Sequence, residues 1–186
     1  FKASSGDMIF FLDADDYIYD YAIEKVVDKW KIGISKVHFR LQNIDSLGNK
    51  KNFTPSKKVN LANGNVSKEI LKYGTYTTPP TSGNVYSREC LNSIFPILDA
   101  KIGDGDTYYD FIPTDSYLKL RIPFYGPVIA INEPLGVYRI HGQNMGVSKT
   151  PYNSLKKRIE LMATYECSKC GMSVNATCGK CEAPLV

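Results

Sequence analysis

Three carboxylates, Asp13, Asp15 and Asp16, stand directly behind an uninterrupted apolar run from Met8 to Leu12. Like charges this close repel one another unless a cation or hydrogen-bond donors compensate them. Oxygen ligands of this kind suit a hard divalent ion, Mn2+ or Mg2+, bound partly through substrate phosphates. The competing reading makes Asp16 a helix cap and the other two solvated turn residues. A second group lies far along the chain in Arg139, His141 and Asn144. Arg139 and His141 share a parity in an extended segment, so both can face one site. Arginine holds phosphate well, and neutral histidine ligates metals or donates a hydrogen bond; a surface arginine beside a capping histidine is the alternative. Asp115 falls near the start of a predicted helix, where a carboxylate is stabilised as the anion. That state serves a general base and an ordinary cap equally. Near the end, Cys167-Ser-Lys-Cys170 and Cys178-Gly-Lys-Cys181 form two CxxC pairs across a seven-residue gap. This spacing suits a closed tetrahedral Zn2+ site of four thiolates, with disulfides or an iron–sulfur centre as alternatives. The fifth cysteine, Cys90, reads as a small core side chain.

These groups need elements to hold them. The run Met8 to Leu12 is short and wholly apolar, which predicts a buried strand of the parallel type, with its acids at the edge where open α/β sheets place ligands. Ile23, Val26, Val27 and Trp30 recur at helical spacing between Asp20 and Trp30, and Gly33 ends that helix. Val37, Phe39 and Leu41 alternate as the inward face of a strand, which turns His38 outward. Asn43 to Asn49 has turn composition and opens an exposed, lysine-rich excursion to Asn65 with hairpin character. A helix from Ser67 to Tyr73 stops at Gly74. Ser87 caps a short helix from Arg88 to Ile94, Asp99 to Asp110 reads as a loop, and a further helix runs to Arg121. Strands are expected over Pro127 to Ile131 and from Leu135 onward, then an amphipathic helix from Pro151 to Tyr165.

Composition sets outer bounds. The chain has 186 residues, 43% hydrophobic and 23% charged, enough for one domain with a real core. Its net charge of +4 comes from scattered lysines in short groups such as Lys156-Lys157-Arg158. Such groups are weak evidence for nucleic acid and no nucleic-acid partner is expected. No signal peptide is read, and no apolar run reaches bilayer length. Reduced thiols in the tail favour the cytoplasm, with attachment to the inner membrane face left open.

The order of Gly6 to Asp16, Ser82-Gly-Asn-Val-Tyr-Ser-Arg88, Thr114-Asp115 and Glu133-Pro-Leu-Gly-Val-Tyr-Arg-Ile-His141 through Asn144 resembles glycosyltransferase family 2. The resemblance implies an α/β chain: an incomplete GT-A nucleotide-diphospho-sugar transferase fold with a mixed, mainly parallel sheet over residues 1–150, lacking an earlier nucleotide-binding half. A connecting helix over 151–165 and a zinc-ribbon-like tail over 166–186 complete the expected organisation. The reaction implied is metal-dependent inverting transfer of a sugar from a nucleotide-sugar donor to an acceptor hydroxyl on a glycan, a lipid-linked saccharide or another molecule. On that resemblance Asp13 binds the ribose or base, Asp15 ligates the donor-site metal with Asp16 in support, Asp115 is the base, and Arg139 with His141 faces the diphosphate, His141 also as a possible metal ligand. Family members usually carry Glu before the base, where this chain has Thr114. The rival function is a non-catalytic interaction module, a truncated transferase core whose zinc ribbon recruits a protein partner.

Overall fold

The computed structural model describes residues 1–97, 114–141, 165–166 and 173–174. Its centre is a single strand, β3 (Lys36–Asp45), whose first nine residues are all buried. On one flank β3 pairs antiparallel with β5 (Asn84–Ser87), which pairs antiparallel with β1 (Met8–Phe10). On the other flank it runs parallel to the long strand β6 (Val128–Ile140), which carries the two-residue β2 (Tyr17–Ile18) antiparallel along its far edge. The strand order is therefore β1-β5-β3-β6-β2, with β4 (Lys50–Thr54) folded back on β3 as a hairpin.

Among the described pairings only β3 with β6 is parallel, so the expected mainly parallel sheet is corrected to a mixed, mainly antiparallel one. The apolar run at Met8 misled because an unbroken hydrophobic strand reports cover on both faces and says nothing about the direction of its neighbour. The last two strands, β7 (Tyr165–Glu166) and β8 (Ser173–Val174), form a separate antiparallel pair. Tyr165 thus belongs to a strand, whereas the helix expected before it, the loop from Asp99 to Asp110 and Asn144 lie outside the described residues.

Period-two alternation along β3 builds two different interiors. Val37, Phe39 and Leu41 join Ala22 and Val26 of α1 (Ala22–Lys29) together with Ile131 and Leu135 of β6. Ile23 and Val27 of α1 stay half-exposed, so the helix buries a narrower stripe than its spacing predicts. The even residues Lys36, His38, Arg40 and Gln42 turn to the opposite face and are buried there. That face is covered by Ile70 of α2 (Ser67–Tyr73), Cys90 and Leu91 of α3 (Arg88–Asn92), and Leu118 of α4 (Thr114–Arg121). Gly74 ends α2 in the left-handed region at φ 65°, and the Ser87 hydroxyl accepts from Cys90 N–H at the start of α3.

His38 is accordingly fully buried, against the expectation that it points outward. A strand covered on both faces has no outward side, and its polar residues must find partners inside. The His38 Nε2 lies 2.8 Å from the Ala62 carbonyl, which can only accept, so Nε2 carries the proton, and Nδ1 lies 3.1 Å from the Thr78 hydroxyl, which is also 3.2 Å from Asn84 Oδ1. Arg40 directs its guanidinium N–H groups to the carbonyls of Pro55, Ser56, Val59 and Asn132 and to Asn132 Oδ1, pinning the 55–59 loop onto the sheet. Among the described residues no helix is long and apolar enough to cross a membrane.

Burial holds the His38 imidazole well below the usual histidine range, with the charges of Lys36 and Arg40 adding to the effect. The unfolded chain therefore binds a proton that the folded one refuses, over the window from about 6.5 downward to the depressed folded value. Stability should be fully present above that window and fall as pH drops through it, by up to about 1.4 kcal/mol per pH unit. Urea midpoints between pH 5 and 7 should show this slope in the wild type, and it should be flattened in His38→Gln.

Candidate functional site

Tight local geometry gathers the acids. Asp16 N–H donates to the Asp13 carbonyl at 3.1 Å, closing a turn immediately after β1 that brings Asp13, Asp15 and Asp16 together. The chain then enters β2, whose residues Tyr17 and Ile18 lie against Val137 and Gly136 of β6. A Cβ on Gly136 would sit 2.8 Å from the Tyr17 carbonyl, so only glycine lets the two backbones approach this closely. That pairing delivers the turn to the end of β6. The Asp16 carboxylate Oδ1 accepts the backbone N–H of Arg139 at 2.9 Å, Arg139 Nε donates to the Asp15 carbonyl at 3.2 Å, and His141 Nε2 meets Asp15 Oδ2 at 2.9 Å.

The opposite wall is the loop before β5 and the start of α4. Asp13 N–H donates to Ser82 Oγ at 3.1 Å. Asp115, in the first turn of α4, holds a 2.7 Å ion pair with Lys119 one helical turn on, and the Thr81 hydroxyl approaches the same oxygen at 3.4 Å. Partial burial pushes the Asp13 carboxyl above the usual carboxylate range; the negative charges of Asp16, Asp115 and Asp15 push the same way, and Lys119 opposes them. Asp16 is also raised by burial, with the Arg139 N–H and the Ser82 hydroxyl pulling it back. Its Oδ2 is buried without a hydrogen-bond partner among the described residues.

The structure thus brings Asp13, Asp15, Asp16, Arg139 and His141 into one cluster and sets Asp115 within electrostatic reach of Asp13. Ser82, Thr81 and Lys119 belong to the same cluster and had no assigned role in the sequence. Lys119 was the findable one, since it stands four residues from Asp115 on a predicted helix.

The expected metals are corrected. Among the described residues no group of three or more His, Cys, Asp or Glu is placed to hold a metal ion. A hard divalent ion asks for about six oxygen ligands, whereas Asp15 Oδ2 pairs with His141 and Asp16 Oδ1 with a backbone N–H. The donor-site Mn2+ or Mg2+, the metal-ligand roles of Asp15 and His141, and the reading of Asp13-Ala-Asp15 as a metal-binding motif are therefore set aside. The Zn2+ ribbon expected at Cys167, Cys170, Cys178 and Cys181 lies outside the described residues, and since no metal-holding cluster is found among the described residues, Zn2+ is carried no further.

The chain is similar to an uncharacterized glycosyltransferase of Nostoc sp. strain PCC 7120, with 31% identity over 151 residues. The matched region is 80% of this chain and 44% of that protein, so the chain spans less than half the length of its relative. No family model matches the chain, and the narrower assignment to family 2 with a zinc-ribbon tail gives way to a distant, partial likeness to glycosyltransferases.

Partial burial of the Asp13 carboxyl, with the neighbouring acids adding to it, has a measurable cost. Because the folded Asp13 carboxyl is raised, the folded chain binds more protons than the unfolded one just above pH 3.8, and stability falls as pH rises through that window. Asp13→Asn removes the charge, and because the residue remains exposed to solvent and screened, its thermal midpoint at pH 7 should exceed the wild type by roughly 1–2 °C. At pH 3, where the wild-type group is protonated in both states, thermal scans should show no such gain.

Proposed function

We propose that the protein contributes to transfer of a sugar from a nucleotide-sugar donor to an acceptor hydroxyl, with inversion at the anomeric carbon. The observation that carries the reading is the convergence of acids from two distant segments with the Arg139 and His141 side chains of a third on one cluster, and the likeness to an uncharacterized glycosyltransferase supports it. Whole-protein activity, donor and acceptor are part of the proposal, since the matched relative extends well beyond the aligned region.

In this reading the acceptor oxygen attacks the anomeric carbon as the bond from that carbon to the diphosphate oxygen breaks. The electron pair leaves with the nucleoside diphosphate, and the acceptor's proton passes to Asp115. Both described contacts of Asp115 fall on Oδ2, which leaves Oδ1 to receive the proton. Arg139 and His141 counter the charge growing on the departing diphosphate, the larger electrostatic task. Asp13 and the Asp15-Asp16 pair orient the ribose and hold the Arg139 and His141 side chains in place.

The test uses the full-length protein and a panel of UDP-, GDP- and dTDP-sugars, with donor consumption as readout. Asp115→Asn should lower kcat by about 10²-fold or more while donor affinity stays near that of the wild type. Arg139→Met should instead weaken calorimetric binding of the product nucleoside diphosphate by about tenfold or more. Near-normal turnover in Asp115→Asn, or unaltered diphosphate binding in Arg139→Met, removes the corresponding role.

A further inference from the structure

Lys36 is completely buried in the middle of the sheet, with no carboxylate at ion-pair distance among the described residues. Lysine is almost never fully buried unless paired with an acid. Its Nζ donates to Asn84 Oδ1 at 2.6 Å and to Thr78 Oγ1 at 2.9 Å, and it stands over the rings of Tyr76 and Tyr86 at 5.0 and 5.8 Å. Burial drives its pKa well below the usual lysine value. For the fold alone an apolar side chain of similar length would have less to desolvate, because burying a polar group costs free energy that its hydrogen bonds must offset. Retaining an amine here points to what the amine holds.

Asn84 is also fully buried, and its two ends do different things. With Oδ1 held by Lys36 and, more loosely, by the Thr78 hydroxyl at 3.2 Å, Nδ2 is turned to the carbonyls of Pro79, Pro80 and Thr81, at 3.3, 2.6 and 3.4 Å. Two consecutive prolines have no N–H with which to organise their own turn, so the amide supplies the donors. The next residues along that segment are the ones at the site: Thr81 reaches Asp115 and Ser82 receives the N–H of Asp13. Gly83 locks the segment from behind, since a Cβ there would lie 2.6 Å from the Pro79 side chain and 2.8 Å from the Phe39 carbonyl.

We infer that Lys36 and Asn84 are positioning residues for the transfer site: the buried amine orients the Asn84 amide, the amide shapes the Pro79–Ser82 segment, and that segment aligns Asp115 with Asp13. The inference rests on the proposed transfer reaction for its catalytic consequence, while the alignment itself is open to test without activity. Three variants of the full-length protein decide it, compared with the wild type. Lys36→Met should keep a thermal midpoint at or above the wild type, yet the Asp13 amide should exchange with solvent about tenfold faster while amides of Val37 to Leu41 are unchanged. On the UDP-, GDP- or dTDP-sugar that the wild type consumes, kcat should fall about tenfold or more with donor KM within about twofold. Lys36→Gln, which restores a neutral donor, should recover most of that loss. A protein equally or more stable but slower is the result that a merely structural lysine would not give. If Lys36→Met does not fold, Thr78→Val, which removes an acceptor of Lys36 and a donor to Asn84 Oδ1 at nearly constant volume, should show the same changes at smaller amplitude. Unaltered Asp13 exchange and unaltered kcat in the folded variant overturn the inference. Should the wild type consume none of these donors, the transfer reading fails and the Asp13 exchange rate alone decides the coupling: faster in the variant upholds it, unchanged rejects it.

Discussion

Charge crowding is the constraint around which the molecule is arranged. Asp13, Asp15 and Asp16 share one turn, and Asp115 approaches from a helix that enters the chain about a hundred residues later. Left to themselves these groups would drive the turn and the helix apart. Each acid except the open Asp13 meets its own compensating group: a backbone N–H for Asp16, a histidine for Asp15, a lysine and a threonine hydroxyl for Asp115. Asp13 has its backbone N–H tied to Ser82, and its carboxyl is raised first by partial burial and then by the neighbouring acids.

Holding such a cluster demands rigidity behind it, and the central strand provides this in an unusual way. One face of β3 is an ordinary aliphatic interior. The other carries Lys36, His38 and Arg40, each fully or almost fully buried and each hydrogen-bonded to a loop residue, Thr78, Ala62 and Ser56 in turn. Apolar contacts tolerate sliding, whereas directional bonds to named carbonyls fix a loop in one place. The polar residues of β3 therefore set loop positions, while apolar burial on both faces of the sheet supplies the driving force for folding.

What could be read in the sequence was local. The helix from Ser67 to Tyr73, its glycine stop, the serine cap at Ser87 and the turn after Asn43 follow from short-range stereochemistry, and Asp45 indeed accepts the N–H groups of Leu47 and Asn49 across that turn. Strand direction was misread, because hydrophobic patterning carries no record of which neighbour a strand will meet. The orientation of His38 was misread for a related reason: alternation identifies two faces but cannot say that both will be covered. The acids, Arg139 and His141 stood out by type and by resemblance. Ser82 and Thr81 did not, since their partners lie 69 and 34 residues away and a hydroxyl in a proline-rich stretch carries no signature of its own.

Arg40 carries a different kind of implication. Its guanidinium grips the segment after β4 through the carbonyls of Pro55, Ser56 and Val59, atoms that every residue type possesses. A loop clasped by its main chain keeps its course whatever side chains it bears. The surface around Asn52 to Lys58 is thus free to change its chemistry over evolutionary time without the sheet beneath registering the difference, so long as one arginine stays where it is.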